Sequence, residues 1–230
     1  MNKKGNENVS IIIPYCFGDI KDTILGLSNQ EYPGKRELLI IYDNPKTPLE
    51  KSKRKFLKDN GAKIIANKQN LGLAGSYNKG IKSATYENII IMHEDCVPTS
   101  NQLIVNLLKE LNKHPGSVVD ANITYSLQVW SKYDYWNKIL VFRYLKSFGP
   151  SLGKTSSFKK SLFKKTGYFD NETFKTAGED LDFVYRMKLL GIKSLATKDI
   201  VYHNHFDKNA NLKKVLKKEW QMGEAHGAWK

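Results

Sequence analysis

The sequence predicts an α/β fold in which a mostly parallel central sheet is flanked by helices. Three observations predict it. Strand-like and helix-like segments alternate through the first half of the 230 residues, polar and glycine-rich clusters follow the predicted strands, and the composition (40% hydrophobic, 26% charged) is that of an ordinary folded domain. The length suffices for a proper core, and no internal repeat, linker or low-complexity tract divides it, so a single domain over 1–230 is expected.

Val9 to Ile13 is a β-branched apolar run that reads as a buried strand. From Asp19 to Asn29 the apolar residues Ile20, Ile24 and Leu27 recur at spacings of four and three, which predicts a helix. Leu38 to Tyr42 is a second strand closed by the turn-forming Asp43-Asn44-Pro45. Leu49 to Asn60 is a basic helix ended by Gly61. Ala62 to Ala66 is a third strand, Leu73 to Ala84 a helix and Asn88 to Met92 a fourth strand. A helix from Asn101 to Lys113 follows, stopped by His114-Pro115-Gly116. This repetition means βαβ units and a parallel sheet covered on both faces, whose ligands bind beyond the carboxyl ends of the strands. The second half is less regular. Ser117 to Trp130 reads as one long strand, and Glu179 to Leu190 as a helix ended by Gly191. Short strands over Ile192 to Ala196 and Ile200 to Tyr202 lead to His203-Asn204-His205 and a basic helix from Leu212 towards Trp220.

With 37 Lys and Arg against 23 Asp and Glu, the formal charge is +14, which predicts an anionic partner: nucleic acid, a membrane surface or a phosphorylated small molecule. No stretch reaches the ~18–20 apolar residues that span a bilayer. The N-terminal apolar block breaks at Pro14 without a small-residue cleavage site, so no signal peptide is expected. Two cysteines, Cys16 and Cys96, suit a reducing compartment, and a cytoplasmic protein is expected.

The chemistry-bearing residues sit where the fold class places them. His93-Glu94-Asp95 ends a buried strand, and alternation turns His93 and Asp95 to one side. Two readings stand there: a site for a hard divalent cation, or a strand cap with His93 incidental. Gly178-Glu179-Asp180-Leu181-Asp182 opens a helix, and three carboxylates in four positions exceed what the helix dipole asks of its first turn. The dipole favours the carboxylate form, which suits Asp180 to accept a proton. Asp182 and Arg186, four apart, read as an ion pair. Asn70-Leu71-Gly72, with Gly75, Asn78 and Gly80, lies at a strand-to-helix junction whose amides suit a pyrophosphate; it has neither the P-loop nor the dinucleotide-fold spacing. Trp130 to Phe148 holds seven aromatics in 19 residues, interleaved with Lys132, Lys138, Arg143 and Lys146.

The order of these segments resembles an inverting family 2 glycosyltransferase of the GT-A fold. Val9-Ser10-Ile11-Ile12-Ile13-Pro14 resembles the family's opening strand, and Ile40-Ile41-Tyr42-Asp43-Asn44 the strand whose aspartate reads the nucleotide base. The run from Asn70 to Gly80 is similar to the family's Asn-x-Gly-x-x-x-x-x-Asn-x-Gly segment, and His93-Glu94-Asp95 occupies the place of Asp-x-Asp. Gly167-Tyr168-Phe169-Asp170 and Gly178 to Phe183 resemble the acceptor-side elements, and Val201-Tyr202-His203 the later histidine. The first aspartate of Asp-x-Asp is His93 here, whereas Asp95 keeps the second.

The resemblance implies metal-assisted transfer, with inversion, of a sugar from a nucleotide-diphosphate donor to a hydroxyl acceptor. Asp180 is expected as general base, with Glu179 as fallback. Pro14, Tyr15, Asp43, Lys68, Asn70, Gly72, Asn78, His93 and Glu94 are expected against the donor, and Asp95, His203 and His93 around Mn2+ or Mg2+. A UDP-sugar is favoured as donor, because Asp43 suits uracil, and a glycan or lipid-linked molecule as acceptor. Residues of about 9–115 form the expected nucleotide-sugar half, 116–205 the acceptor and catalytic half, and 206–230 a trailing basic helix able to meet an anionic membrane on its cytoplasmic face. A nucleotidyltransferase or a non-catalytic sugar-nucleotide binder of the same fold is the alternative. Nucleic acid is the least favoured partner, because carboxylates at the strand ends repel a phosphate backbone.

Overall fold

The computed structural model describes residues 8–139, 149–150, 152–174, 177–204 and 211–227, and its frame is set by β1 (Val9–Tyr15), all of whose residues are buried. Alternation gives β1 two faces. Ile11 and Ile13 join a core with α1 (Lys21–Ser28) and α4 (Leu103–Lys113), whereas Ile12 joins a second core with Ala74, Tyr77 and Ile81 of α3 (Gly72–Ser83). The approach of α3 to β1 is close: a Cβ on Gly80 would lie 2.3 Å from Ile12 Cγ2, so only glycine fits there. α2 (Lys51–Asp59) buries Leu57 and exposes most of its cations, and Gly61 follows it with φ +77°.

β3 (Ala62–Ala66), β2 (Arg36–Tyr42), β1 and β4 (Asn88–Met92) run parallel in that order. The chain builds outward from β1 to β3, then crosses back to place β4 on β1's other side. That reversal opens a crevice at the carboxyl ends of β1 and β4. Beyond β4 the sheet is mixed. β8 (Thr155–Lys159) pairs antiparallel with β4 and β6 (Val118–Thr124), β9 (Ser194–His203) lies parallel to β6, and β5 (Cys96–Pro98) closes the order antiparallel to β9. The two-residue β7 (Gly149–Pro150) pairs with β6.

The connection from β4 to β5 dictates the shape of this sheet. β5 stands four strand positions beyond β4, a distance of about 19 Å in a flat sheet. Only residues 93–95 join the two strands, and the chain from Met92 to Cys96 reaches at most about 14 Å. The sheet therefore curls, and the curl brings Cys96 into register with His203.

The second half departs from its sequence reading in three places. The strand expected over Ser117 to Trp130 stops at Thr124, where Ser126 Oγ accepts the Val129 N–H (3.1 Å) and caps α5 (Leu127–Lys132). The two short strands expected over 192–202 are one, β9, in which the Asp199 carboxylate accepts a hydrogen bond from Asn106 Nδ2 (2.9 Å). β8 has no apolar signature, because Thr155, Ser156 and Ser157 are buried polar residues. The helix expected from Glu179 is α6 (Glu179–Leu189), and the trailing helix is α7 (Leu212–Gly227). No described helix is long and apolar enough to cross a membrane.

Ser156 and Ser194 serve one buried carboxylate. Asp120, fully buried in β6, accepts hydrogen bonds from Ser156 Oγ and from Ser194 Oγ (2.8 Å). Burial pushes its pKa up to about 6 against the lowering effect of the two hydroxyls. A folded-state pKa above the unfolded value gives stability that is complete below about pH 4 and lost as pH rises through about 6. The loss attributable to Asp120 is of order 2–3 kcal/mol by pH 8. Asp120→Asn is expected to flatten the stability profile between pH 5 and 8 in urea titrations. A variant profile parallel to that of the wild type would show that Asp120 does not titrate in this range.

Candidate active site

The crevice is built on its nucleotide side by the loops after β1, β2 and β3. Asp43, 4% exposed, accepts the Asn67 Nδ2 (2.7 Å) and Leu71 N–H (2.8 Å) bonds through Oδ1, and its backbone carbonyl accepts Asn70 Nδ2 (2.9 Å). Oδ2 carries no hydrogen bond among the described residues. Lys79 Nζ donates to Asn67 Oδ1 (2.7 Å), so Asp43, Asn67 and Lys79 form one charged network. Gly72 opens α3 with φ +69°, a left-handed conformation that favours glycine and turns the chain from this loop into the helix.

The other predicted donor residues fall into distinct places. Pro14 is buried in β1 opposite Ile41. Tyr15 packs against Tyr42, and its hydroxyl donates to Gly18 O (3.0 Å). Asn78 is a buried staple: Nδ2 donates to Phe169 O (2.7 Å) and Oδ1 accepts the Phe169 N–H (3.0 Å), tying α3 to the acceptor-side turn. Lys68 is exposed beside the loop. Glu94 is half-buried, and its carbonyl accepts Thr23 Oγ1 (2.7 Å), locking the turn after β4 to α1.

Beyond β4, the curl of the sheet assembles a cluster from two distant segments. One ligand atom each from His93, Asp95 and His203 lies within 4.8 Å of the others. His203 Nε2 is 3.2 Å from Asp95 Oδ1, and its Nδ1 shares a 3.3 Å hydrogen bond with the Tyr125 hydroxyl. His203, the last residue of β9, pairs with Cys96 of β5, and the Asn204 N–H donates to Asp95 O (2.8 Å), so backbone pairing ties the two segments of the cluster together. The His93 ring stacks on Tyr77 (6.3 Å) and meets the edge of His203 (6.0 Å). Two imidazoles and a carboxylate are a donor set for a divalent cation. The partner on the outer imidazole nitrogen is the kind of contact that orients a metal-ligating histidine.

Glu179 and Asp180, in the first turn of α6, line a small cleft together with His93, Tyr77, Lys154, Gly153 and Phe169. Glu179 is buried, whereas Asp180 is partly accessible, with Oδ1 accepting the Leu181 N–H (2.8 Å). Gly178 enters the helix with φ +98°. Asp182 is turned elsewhere and pairs with Arg186 (2.5 Å), whose guanidinium also donates to Thr166 O. His93 thus belongs to both the cation cluster and the Asp180 cleft.

Sequence reasoning missed Asn67, Lys79, Tyr125, Tyr133 and Lys154. Asn67 was open to detection, since it directly follows a strand. Tyr133 was legible only as part of the aromatic run from Trp130 to Phe148, and Tyr125 precedes that run. Tyr133 packs on Tyr125 and Trp130, and burial, with the nearby Asp95 charge, raises its pKa. Trp130 is half-buried under Lys138 Nζ, 5.6 Å above its ring, and Tyr135 is exposed beside Trp136. Phe142, Arg143, Tyr144, Lys146 and Phe148 of that run, and His205, lie outside the described residues.

Comparisons with known proteins place this geometry. The chain is 25% identical over 199 residues to poly-beta-1,6-N-acetyl-D-glucosamine synthase of Staphylococcus epidermidis, covering 80% of this chain and 46% of that protein. It therefore spans less than half the length of the curated relatives it matches. Among solved structures it resembles the mannosyltransferase PcManGT from Pyrobaculum calidifontis in complex with GDP-Man and Mn2+ (TM-score 0.64, 16% identity, 96% of this chain and 73% of that chain). It also resembles GalNAc-T7 with UDP, GalNAc and Mn2+ (TM-score 0.67, 16% identity, 87% and 44%) and S. aureus TarS 1-349 (TM-score 0.61, 15% identity, 94% and 65%). These likenesses identify the GT-A fold. The description "Glycosyl transferase family 2" matches residues 10–172, well over half of the chain, and the protein belongs to that family of glycosyltransferases.

Proposed function

We propose that this domain transfers a sugar, with inversion, from a nucleoside-diphosphate donor to a hydroxyl acceptor, assisted by a divalent cation. The observation that carries the reading is the position of His93, shared between the His93–Asp95–His203 cluster and the cleft lined by Glu179 and Asp180. A leaving diphosphate neutralised at the cluster would depart from one face of the sugar carbon, while a carboxylate of the cleft takes the proton of an acceptor attacking from the opposite face. The cation would be held by Asp95, His203 and His93 and would act as a Lewis acid on the diphosphate. Asp180 is the general base because it is the accessible carboxylate of the pair, and the buried Glu179 is the fallback.

On the donor side, Asp43 Oδ2 is available to a base edge, while the Asn70–Gly72 loop and the accessible Lys68 flank the path of the phosphates. A UDP-sugar is the favoured donor. Tyr125 packs against His203 and Tyr133, and Tyr133 against Trp130, which suits a stacking surface for an acceptor glycan or the glycan of a lipid-linked acceptor. A panel of nucleotide sugars, each with Mn2+, tests the reading by thermal shift and slow donor hydrolysis. Nucleoside diphosphate released from at least one donor is the expected result. Release of pyrophosphate would identify a nucleotidyltransferase, and binding without release a non-catalytic module.

Peripheral attachment to an anionic membrane is part of the proposal, because α7 presents Leu212, Leu216 and Trp220 at four-residue spacing, all exposed, beside the cations Lys213 and Lys217. Co-sedimentation with phosphatidylcholine vesicles containing phosphatidylglycerol is expected, with loss of binding in Leu216→Glu/Trp220→Glu. Equal recovery of wild type and variant with the vesicles would remove the membrane from this account.

A further inference from the structure

We propose that a cavity on the outer face of α3 is a separate anion site, which takes a phosphorylated small molecule of about the size of a hexose phosphate. Leu73 and Tyr77 of α3 line the Asp180 cleft, whereas Gly75 and Lys79, each two residues further on, line this cavity. A step of two residues turns a helix through roughly half a circle, so the two hollows open on opposite sides of α3. They share no lining residue.

Gly75, Asn78, Lys79 and Lys82 recur at spacings of three and four and form one face of the helix. With Leu71 and Asn171 as walls they enclose about 350 Å³, a volume within the ~300–1,000 Å³ typical of small-molecule sites. Gly75 keeps the space open. A Cβ there would stand 2.8 Å from Leu71 Cβ and 3.8 Å from Asn171 Nδ2, between the two walls. Glycine inside a helix weakens it, and at this position it leaves room for a ligand.

The polar groups of the cavity are donors. Lys79 Nζ donates to Ala66 O (3.1 Å) and Asn67 Oδ1 (2.7 Å), which holds its charge at one end of the floor. The Lys82 ammonium has no hydrogen bond or ion pair among the described residues and lies 4.6 Å from the centre of the Tyr168 ring. An aromatic face leaves that cation its full charge and its N–H groups, so Lys82 is the principal anchor for an anion. Asn171 Oδ1 accepts Asn78 Nδ2 (3.3 Å), which leaves the Asn171 amide N–H groups and the Ser83 hydroxyl as further donors.

No carboxylate lines the cavity among the described residues. The neighbouring Asp170 turns away, its Oδ1 accepting the N–H groups of Glu172 (3.0 Å) and Thr173 (2.9 Å). Two cations without a facing acid match a doubly charged group such as a phosphate monoester better than a single carboxylate. The space exceeds what one phosphate fills, and the amide and hydroxyl donors suit the hydroxyl groups of an attached sugar.

The test titrates the full chain with glucose 6-phosphate by calorimetry in EDTA at physiological salt, with inorganic phosphate and glucose as comparisons. Saturable binding of glucose 6-phosphate is expected, with weaker binding of inorganic phosphate and none of glucose. Lys82→Ala and Asn171→Asp are each expected to weaken glucose 6-phosphate binding about tenfold, the scale of one charged hydrogen bond. Both positions are exposed, and aspartate at 171 keeps the oxygen that accepts from Asn78, so the fold is retained. Lys68→Ala, on the loop after β3, is expected to leave the affinity unchanged. Absence of saturable binding, or binding kept in both Lys82→Ala and Asn171→Asp, would overturn the site. Binding lost in Lys68→Ala alone would place the anion in the donor crevice instead and overturn it equally. Equal affinities for inorganic phosphate and glucose 6-phosphate would overturn the assignment of a sugar-sized ligand.

Discussion

Asp180→Asn is expected to lower glycosyl transfer by about 10²–10⁴-fold, the range associated with loss of a positioned general base. Donor affinity in the same variant is expected to stay within a few fold of wild type. The two expectations separate because Asp180 sits on the cleft side of His93, at the start of α6, whereas the donor loops are built from β1, β2 and β3. The substitution preserves shape, and the amide oxygen can still accept the Leu181 N–H that the carboxylate accepts now. Folding is therefore little disturbed, and the loss falls on kcat. Turnover near wild type would transfer the role to Glu179, which Glu179→Gln would then reveal. Loss of donor binding together with turnover would mean that Asp180 helps hold the donor.

Asp95→Ala is expected to weaken binding of a nucleoside diphosphate by at least about tenfold, with EDTA having the same effect on the wild type. Asp95 supplies the carboxylate of the cluster, so its removal leaves two imidazoles alone to hold the ion, which is then bound more weakly. A diphosphate then meets less positive charge than before. Calorimetric titrations with and without Mn2+ read this directly, and EDTA should add nothing further in the variant. Identical nucleotide affinities with and without the ion would show that the cluster does not act through a metal.

Much of the parallel half was legible in the sequence, because each of its elements carries a local signature. Val9–Ile13 and Asn88–Met92 are apolar runs too short for helices, and Leu103, Leu107 and Leu111 mark one face of α4. Order along the chain then placed Asp43, Gly72 and His93 at one edge. The mixed half was less legible, for physical reasons. β8 is polar yet buried, since Ser156 is taken up by Asp120, and one serine at position 126 turned an alternating run into a helix start. The Ser156–Asp120 bond joins residues 36 apart and leaves no periodic trace.

The cluster shows the same limit. The sequence offers His93-x-Asp95 and, 108 residues after Asp95, His203. What joins them is the curl forced by the three-residue link between β4 and β5, and that follows from the strand order alone. Asp182 was separable from Asp180 by spacing, since Arg186 stands one helical turn away and takes it. Asn78 was not separable from the donor residues, because its partner Phe169 is 91 residues distant.

The central claim is that these residues form one site for an inverting displacement at a sugar carbon. The anomeric configuration of the first-formed product tests it most directly. It would be followed by proton NMR on an α-linked nucleotide sugar in Mn2+, with a simple alcohol as acceptor so that the glycoside cannot mutarotate. A β-glycoside is the predicted product. An α-glycoside would contradict the single displacement and the role given to Asp180 in it.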